Sequence, residues 1–129
     1  MQHFRELKVW QRSHRLTLEI YRLTAKFPSH EQYGVTSQLR RATSSVPANI
    51  AEGSKRRQAR DYAHFLNIAE SSLAEAEYFL ILSQDLGYLD EKVTPPLFAD
   101  IEEICRMLNA LHQRVLEKLT PNQTSRRSN

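Results

Sequence analysis

Apolar residues recur along this chain in four long stretches with the alternating three and four spacing of helices, separated by breaks that carry proline, glycine and serine. The first stretch runs from about Glu6 to Phe27 without Gly or Pro, and Val9, Leu16, Ile20, Leu23 and Phe27 line one face of it. A second apolar set, Leu7, Trp10, Leu18 and Tyr21 with His14 among them, lies on an adjoining face. Together the two sets cover roughly 200° of the helical circumference, against the stripe of about 100° or more on a surface helix. A single bundle core does not bury both, so copies of the chain are expected to associate through this helix. Lys8, Arg12, Arg15, Arg22 and Lys26 occupy the remaining arc, with Glu19 as the only acid among them.

After Pro28, the run Ser29-His30-Glu31-Gln32 has the spacing of a capping box and predicts the start of a second helix, which continues to about Gly53. Val35, Leu39, Ala42, Val46 and Ile50 form its core stripe. Gln38, Arg41, Ser45, Asn49 and Glu52 run beside that stripe, and Ser44, Pro47, Ala48 and Ala51 give a far side of small or compact residues. Pro47 removes one helical hydrogen bond and crowds the preceding turn, which predicts a bend or a break. A third helix is predicted from Gln58–Asp61 to Gly87, a left-handed cap after Leu86. Its buried side comprises Tyr62, Phe65, Leu66, Ala69, Leu73, Ala76, Phe79, Leu80 and Leu86, with Glu70, Glu75, Glu77 and Asp85 largely outside. Thr94-Pro95 reads as an N-cap followed by proline at the first helical position. The fourth helix then carries an unbroken seam of Leu97, Ile101, Ile104, Leu108, Leu111 and Val115, with Cys105 beside it as a small core residue, and stops at Pro121.

Four helices with short connections predict an all-α, antiparallel up-down-up-down four-helix bundle over residues 1–120, followed by a disordered polar tail over 121–129. Composition agrees: with 129 residues, 3 Gly and 5 Pro, the chain suits one helical core better than a turn-rich β fold. No apolar run reaches the roughly 20 residues of a membrane span, and the charged start lacks a secretory apolar block, so a cytoplasmic location without membrane contact is expected. The single cysteine excludes an intrachain disulfide.

Charge divides the chain. Residues 1–60 hold 12 Lys and Arg against 4 Asp and Glu, a net of +8, whereas residues 61–129 hold 6 against 11, a net of −5. Such a split serves either a polyanion-binding surface or two halves that attract each other, within a fold or between subunits. Lys55, Arg56, Arg57 and Arg60 concentrate four cations at the corner between the second and third helices. With Lys8, Arg12, Arg15, Arg22 and Lys26 they are the candidate nucleic-acid-binding residues, and binding through them is expected to be backbone-directed and salt-sensitive.

At the second helix, Gln38-Leu39-Arg40-Arg41-Ala42-Thr43-Ser44-Ser45-Val46-Pro47-Ala48-Asn49-Ile50-Ala51-Glu52-Gly53 resembles the signature of a bacterial four-helix-bundle family encoded by intervening sequences in 23S ribosomal RNA genes. Leu7-Lys8-Val9-Trp10-Gln11, Phe27-Pro28, Ala69-Glu70-Ser71-Ser72-Leu73 and Leu86-Gly87-Tyr88-Leu89 extend the likeness. The family more often places Gly or Arg where this chain has Glu70. The resemblance implies a homopentameric ring and a fold similar to the accessory variability protein of diversity-generating retroelements, which works with nucleic acid. It implies no reaction. The family's genetic setting favours RNA over DNA as the partner.

Catalytic and metal chemistry find little support in the spacing. The five histidines include no i, i+4 pair, and the paired Glu-x-x-His elements of a di-iron bundle are absent, so no metal, cofactor or catalytic residue is expected. The Arg41, Ser45, Asn49, Glu52 stripe reads instead as a structural polar network, because buried polar groups need partners. Arg41 and Glu52 lie about three turns apart and need different ones. Leu7, Trp10, Leu18, Tyr21, Ser44, Ala48 and Ala51 are the candidate oligomer interface. The expected function is non-enzymatic: an oligomer that binds nucleic acid, or alternatively a structural or adaptor oligomer with a protein partner.

Overall fold

The helix α1 (Lys8–Thr24) begins later and ends earlier than its apolar pattern predicts. Upstream, Phe4–Glu6 forms a 3-10 turn in which His3 Nδ1 accepts from the Arg5 N–H at 3.2 Å, and Leu7 is extended. Three further helices follow in this computed structural model, which describes residues 3–119: α2 (Val35–Ser54), α3 (Ala59–Asp85) and α4 (Thr94–Glu117). The described residues contain no strand. The predicted tail over 121–129 lies outside them. α2 packs most extensively against α3, α1 lies against α2, α4 against α3, and the seam between α1 and α4 is the thinnest. Leu7, Ser54, Tyr62 and Val115 meet around one crevice, so the start of α1, the end of α2, the start of α3 and the end of α4 share one end of the molecule.

Each helix contributes its predicted stripe to the core. Leu39, Ala42, Ile50, Leu66, Ala69, Ala76, Ile104 and Leu108 are fully buried. Several buried hydroxyls inside the helices are satisfied locally: those of Thr24, Thr43 and Ser83 each donate to the carbonyl four residues back at 2.7 Å, whereas the buried Thr36 hydroxyl finds no partner among the described residues.

Several local expectations are corrected. Ser29 does not cap α2, because Ser29–Glu31 is a 3-10 turn and the helix starts at Val35. The Glu31 carboxylate takes over, accepting the Val35 N–H at 3.3 Å and the Tyr88 hydroxyl at 2.7 Å. Pro47 does not break α2, which is continuous through it. The Thr43 carbonyl that loses its donor there lies 3.4 Å from the Thr17 hydroxyl of α1, which also donates to Ser13 O at 2.8 Å. Leu86 is exposed rather than buried, because it stands where the chain leaves α3. Gly87, at φ +81°, follows it in the left-handed region, with Gly87 N–H bonded to Gln84 O and Tyr88 N–H to Ser83 O, the double closure of a Schellman motif. Tyr88 then packs against Phe27, and Leu89 supplies the buried contact. Thr94 is the buried first residue of α4 and donates to Glu91 O at 3.4 Å instead of capping the helix from outside. Cys105 is exposed, since Ile101, Ile104 and Leu108 fill the seam and leave it on the outer side. Glu70, expected outside, is half-buried with His112 Nδ1 at 2.6 Å.

Two of these arrangements are open to direct test. Thr17→Val is expected to cost about 1 kcal/mol by urea unfolding, and to cost less in a Pro47→Ala background, where the backbone N–H at position 47 returns and only the bond to Ser13 is lost; equal costs in both backgrounds would refute the compensation. The hydrogen bond from Tyr88, and then the one from the Val35 N–H, hold the Glu31 carboxyl below its usual range. A carboxyl depressed on folding stabilises the native state above its unfolded-state value, and that stabilisation is lost as pH falls through the folded value. Tyr88→Phe is therefore expected to melt lower than the parent at neutral pH, with the gap closing in acid; a gap that ignores pH contradicts the assignment.

Candidate nucleic-acid interface

The polar stripe of α2 faces α3 over most of its length. Arg41 donates to Gln38 Oε1 at 2.9 Å and reaches across to Glu75 Oε2 at 3.0 Å. One turn on, the Ser45 and Ser72 hydroxyls pair at 2.8 Å, and Asn49 Nδ2 donates to both the carbonyl and the hydroxyl of Ser45. Glu52 stands apart from this line. It accepts from Arg56, just beyond the end of its helix, at 2.9 Å, so it belongs to the basic corner and not to the α2–α3 network.

That corner gathers more positive charge than α2 and α3 alone supply. Lys55 lies 5.7 Å from the Phe4 ring centroid, and the Arg56 guanidinium covers Phe65 at 4.8 Å. Arg57 and Arg60 are exposed and make no ion pair among the described residues. Arg114 and Lys118, one turn apart near the end of α4, line the adjoining crevices together with Leu7, Tyr62 and Val115. Lys8 borders the same end from α1. Sequence reasoning passed over Arg114, Lys118 and Tyr62. The two cations carried a readable i, i+4 spacing, whereas the Tyr62 position looked like core. Burial pushes the Tyr62 phenol above its ordinary value, with the charge of Arg114 opposing.

The cations of α1 divide differently. Arg12 Nε contacts Asp100 Oδ1 of α4 at 2.6 Å, half-buried on both sides. Arg22 is paired with Glu19 on its own helix and holds that carboxyl below its usual range. Lys8, Arg15 and Lys26 remain exposed without an ion pair among the described residues. The proposed face is therefore split, with two of its five cations neutralised locally.

The candidate interface residues surround the α1–α2 side. Leu18 and Tyr21 are 56% and 45% exposed, whereas Leu7 and Trp10 are half-buried. Trp10 stacks on His14 at 5.0 Å and meets the edge of Phe4. Arg40, which the sequence reading did not single out, covers the Tyr21 ring at 4.6 Å and donates to the Thr24 hydroxyl at 2.7 Å. On α2, Ala48 is exposed and Ser44 and Ala51 are half-buried. Among the described residues, no three His, Cys, Asp or Glu side chains are grouped to hold a metal, and no helix is long and apolar enough to cross a membrane.

Residues 5–110 match the 23S rRNA-intervening sequence protein family, a span that includes the α2 signature and both flanks of the basic corner. The chain belongs to that family. A crystal structure of a protein of unknown function from the S23 ribosomal protein family of Bacteroides thetaiotaomicron is similar in fold, with a TM-score of 0.74 and 24% identity over 81% of this chain and 95% of that one. No curated protein matches.

Within this family member, the basic corner depends on a close contact between α2 and α3. A Cβ at Gly53 would lie 2.8 Å from Phe65 Cβ and 3.0 Å from Tyr62 Cδ1. Gly53→Ala is expected to destabilise the fold by about 1 to 3 kcal/mol in denaturant unfolding, as the rings at the start of α3 are forced away. Unchanged stability would mean that the corner is looser than this spacing shows.

Proposed function

We propose that this chain is a non-enzymatic, antiparallel four-helix bundle that assembles as a homo-oligomer, a pentameric ring by family resemblance, and binds the phosphate backbone of nucleic acid. The observation that carries the reading is the collection of cations at one end of the molecule. Lys8 of α1, Arg57 of the α2–α3 connection, Arg60 of α3, and Arg114 and Lys118 at the end of α4 have no acidic partner among the described residues. Surface cations left unpaired in this way are free to displace counterions from phosphates. Repetition around a ring would multiply weak contacts into avidity. RNA is favoured over DNA through the family's association with 23S rRNA intervening sequences.

A second reading, a structural or adaptor oligomer, is favoured by the opposite behaviour of α1. Arg12 and Arg22 are already neutralised, and Leu18 and Tyr21 expose apolar surface beside them, as a protein-binding face does. The two readings separate in one experiment. The charge reversals Arg57→Glu and Arg60→Glu are expected to abolish the mobility shift of ribosomal RNA fragments at low salt while leaving the mass by light scattering unchanged. No shift by the parent protein at low salt would leave only the adaptor reading, and a mass of one polypeptide would overturn the oligomer in both.

A further inference from the structure

We infer that the basic end of the bundle binds single-stranded nucleic acid in preference to duplex, by taking an unstacked base against Tyr62 between phosphate-binding cations. This inference rests on the proposed nucleic-acid reading and narrows its ligand. Two adjoining crevices of about 370 and 150 Å³ share Tyr62, Val115 and Lys118 as walls. Their inner surface is apolar, with Leu7 and Leu111 beside Tyr62, and their rim carries Arg57, Arg114 and Lys118. An apolar, aromatic-walled recess bordered by cations fits a nucleotide better than it fits a duplex backbone. Phosphates need only the rim, whereas the recess needs a flat apolar group to fill it. Bases in a duplex present their faces only to one another, and a single strand can turn one outward. Stacking on an aromatic ring tolerates any base, so the site has no built-in sequence preference.

The neighbouring rings are not equivalent to Tyr62. Phe4 and Phe65 are already covered by Lys55 and Arg56, whereas among the described residues no ring or cation stacks on Tyr62, which packs one edge beside Gly53 and lines both crevices. Arg114 and Lys118 line the crevice beside it, so its surroundings are positive on that side. Glu6 borders the neighbouring crevice beside Lys8, so the electropositive rim is strongest on the α3–α4 side.

The test uses the full chain with two probes, a uridine homopolymer carrying one 2-aminopurine and a fully paired RNA duplex of equal length. The parent protein is expected to bind the single strand more tightly and to quench the 2-aminopurine on binding. Tyr62→Leu is expected to weaken single-strand binding about ten-fold with the salt dependence unchanged, and Tyr62→Phe to retain it. Arg114→Gln is expected instead to reduce the slope of log affinity against log salt by about 0.7. Equal affinity for the two probes, or binding without quenching, overturns the inference while leaving backbone binding intact. Failure of both probes to bind at low salt overturns the backbone reading along with it. The quenching experiment needs no variant, so it decides the matter even if Tyr62→Leu fails to fold.

Discussion

Close approach of α2 to its two neighbours is the constraint on which the molecule depends. α2 buries Ala42, Thr43, Val46, Pro47, Ile50 and Gly53, most of them small or compact, and thereby lets α1 and α3 come near its backbone. Closeness has two consequences. It brings hydroxyls within reach across helices, as in the Ser45–Ser72 pair and the contact from Thr17 to the carbonyl orphaned by Pro47. It also removes tolerance at Gly53, where one methyl group would meet two aromatic side chains. A proline in a helix interior ordinarily costs about 3 kcal/mol. Here the helix persists because the lost bond is partly replaced from outside and the ring is buried among packed neighbours.

The four helices and their core stripes were legible because burial follows a period that can be counted. Leu97, Ile101, Ile104, Leu108, Leu111 and Val115 were predicted as one seam and are all buried. What the pattern could not convey was competition for the helix ends. Ser29 offers a good local cap, but Glu31 receives both a backbone N–H and the hydroxyl of Tyr88, 57 residues away, and the start of α2 moves accordingly. Leu86 and Cys105 fail for a related reason: apolar character alone does not specify which side of a stripe's margin a residue occupies. At the candidate site, the corner cations of α2 and α3 were visible as a run. Arg114 and Lys118 join them only through the folding of α4 back to that end.

The division of charge along the chain changes meaning in three dimensions. Much of the positive excess of the first half is spent locally, in Arg22 with Glu19 and Arg56 with Glu52, or across helices in Arg12 with Asp100 and Arg41 with Glu75. These pairs are exposed or half-exposed and add little stability individually. Their effect is to leave an uneven remainder. Much of the remainder accumulates at one end, where α2 finishes, α3 begins and α4 terminates, beside an aromatic wall, although Arg15 and Lys26 stand elsewhere on α1 and just past it. Charge there is a property of the tertiary arrangement, although most of its members come from a short segment of sequence.

The thin seam between α1 and α4 carries the Arg12–Asp100 contact, whereas the opposite flank of α1 is fastened to α2 by Arg40 and Thr17. An element gripped firmly on one side and lightly on the other separates along the lighter side first. α1 is thus the helix most easily loosened along its α4 side, while its hold on α2, and that of α2 on α3, keeps the rest of the bundle together. Strain reaching the molecule from outside is therefore relieved first along the α1–α4 flank, without unpacking the α2–α3 centre.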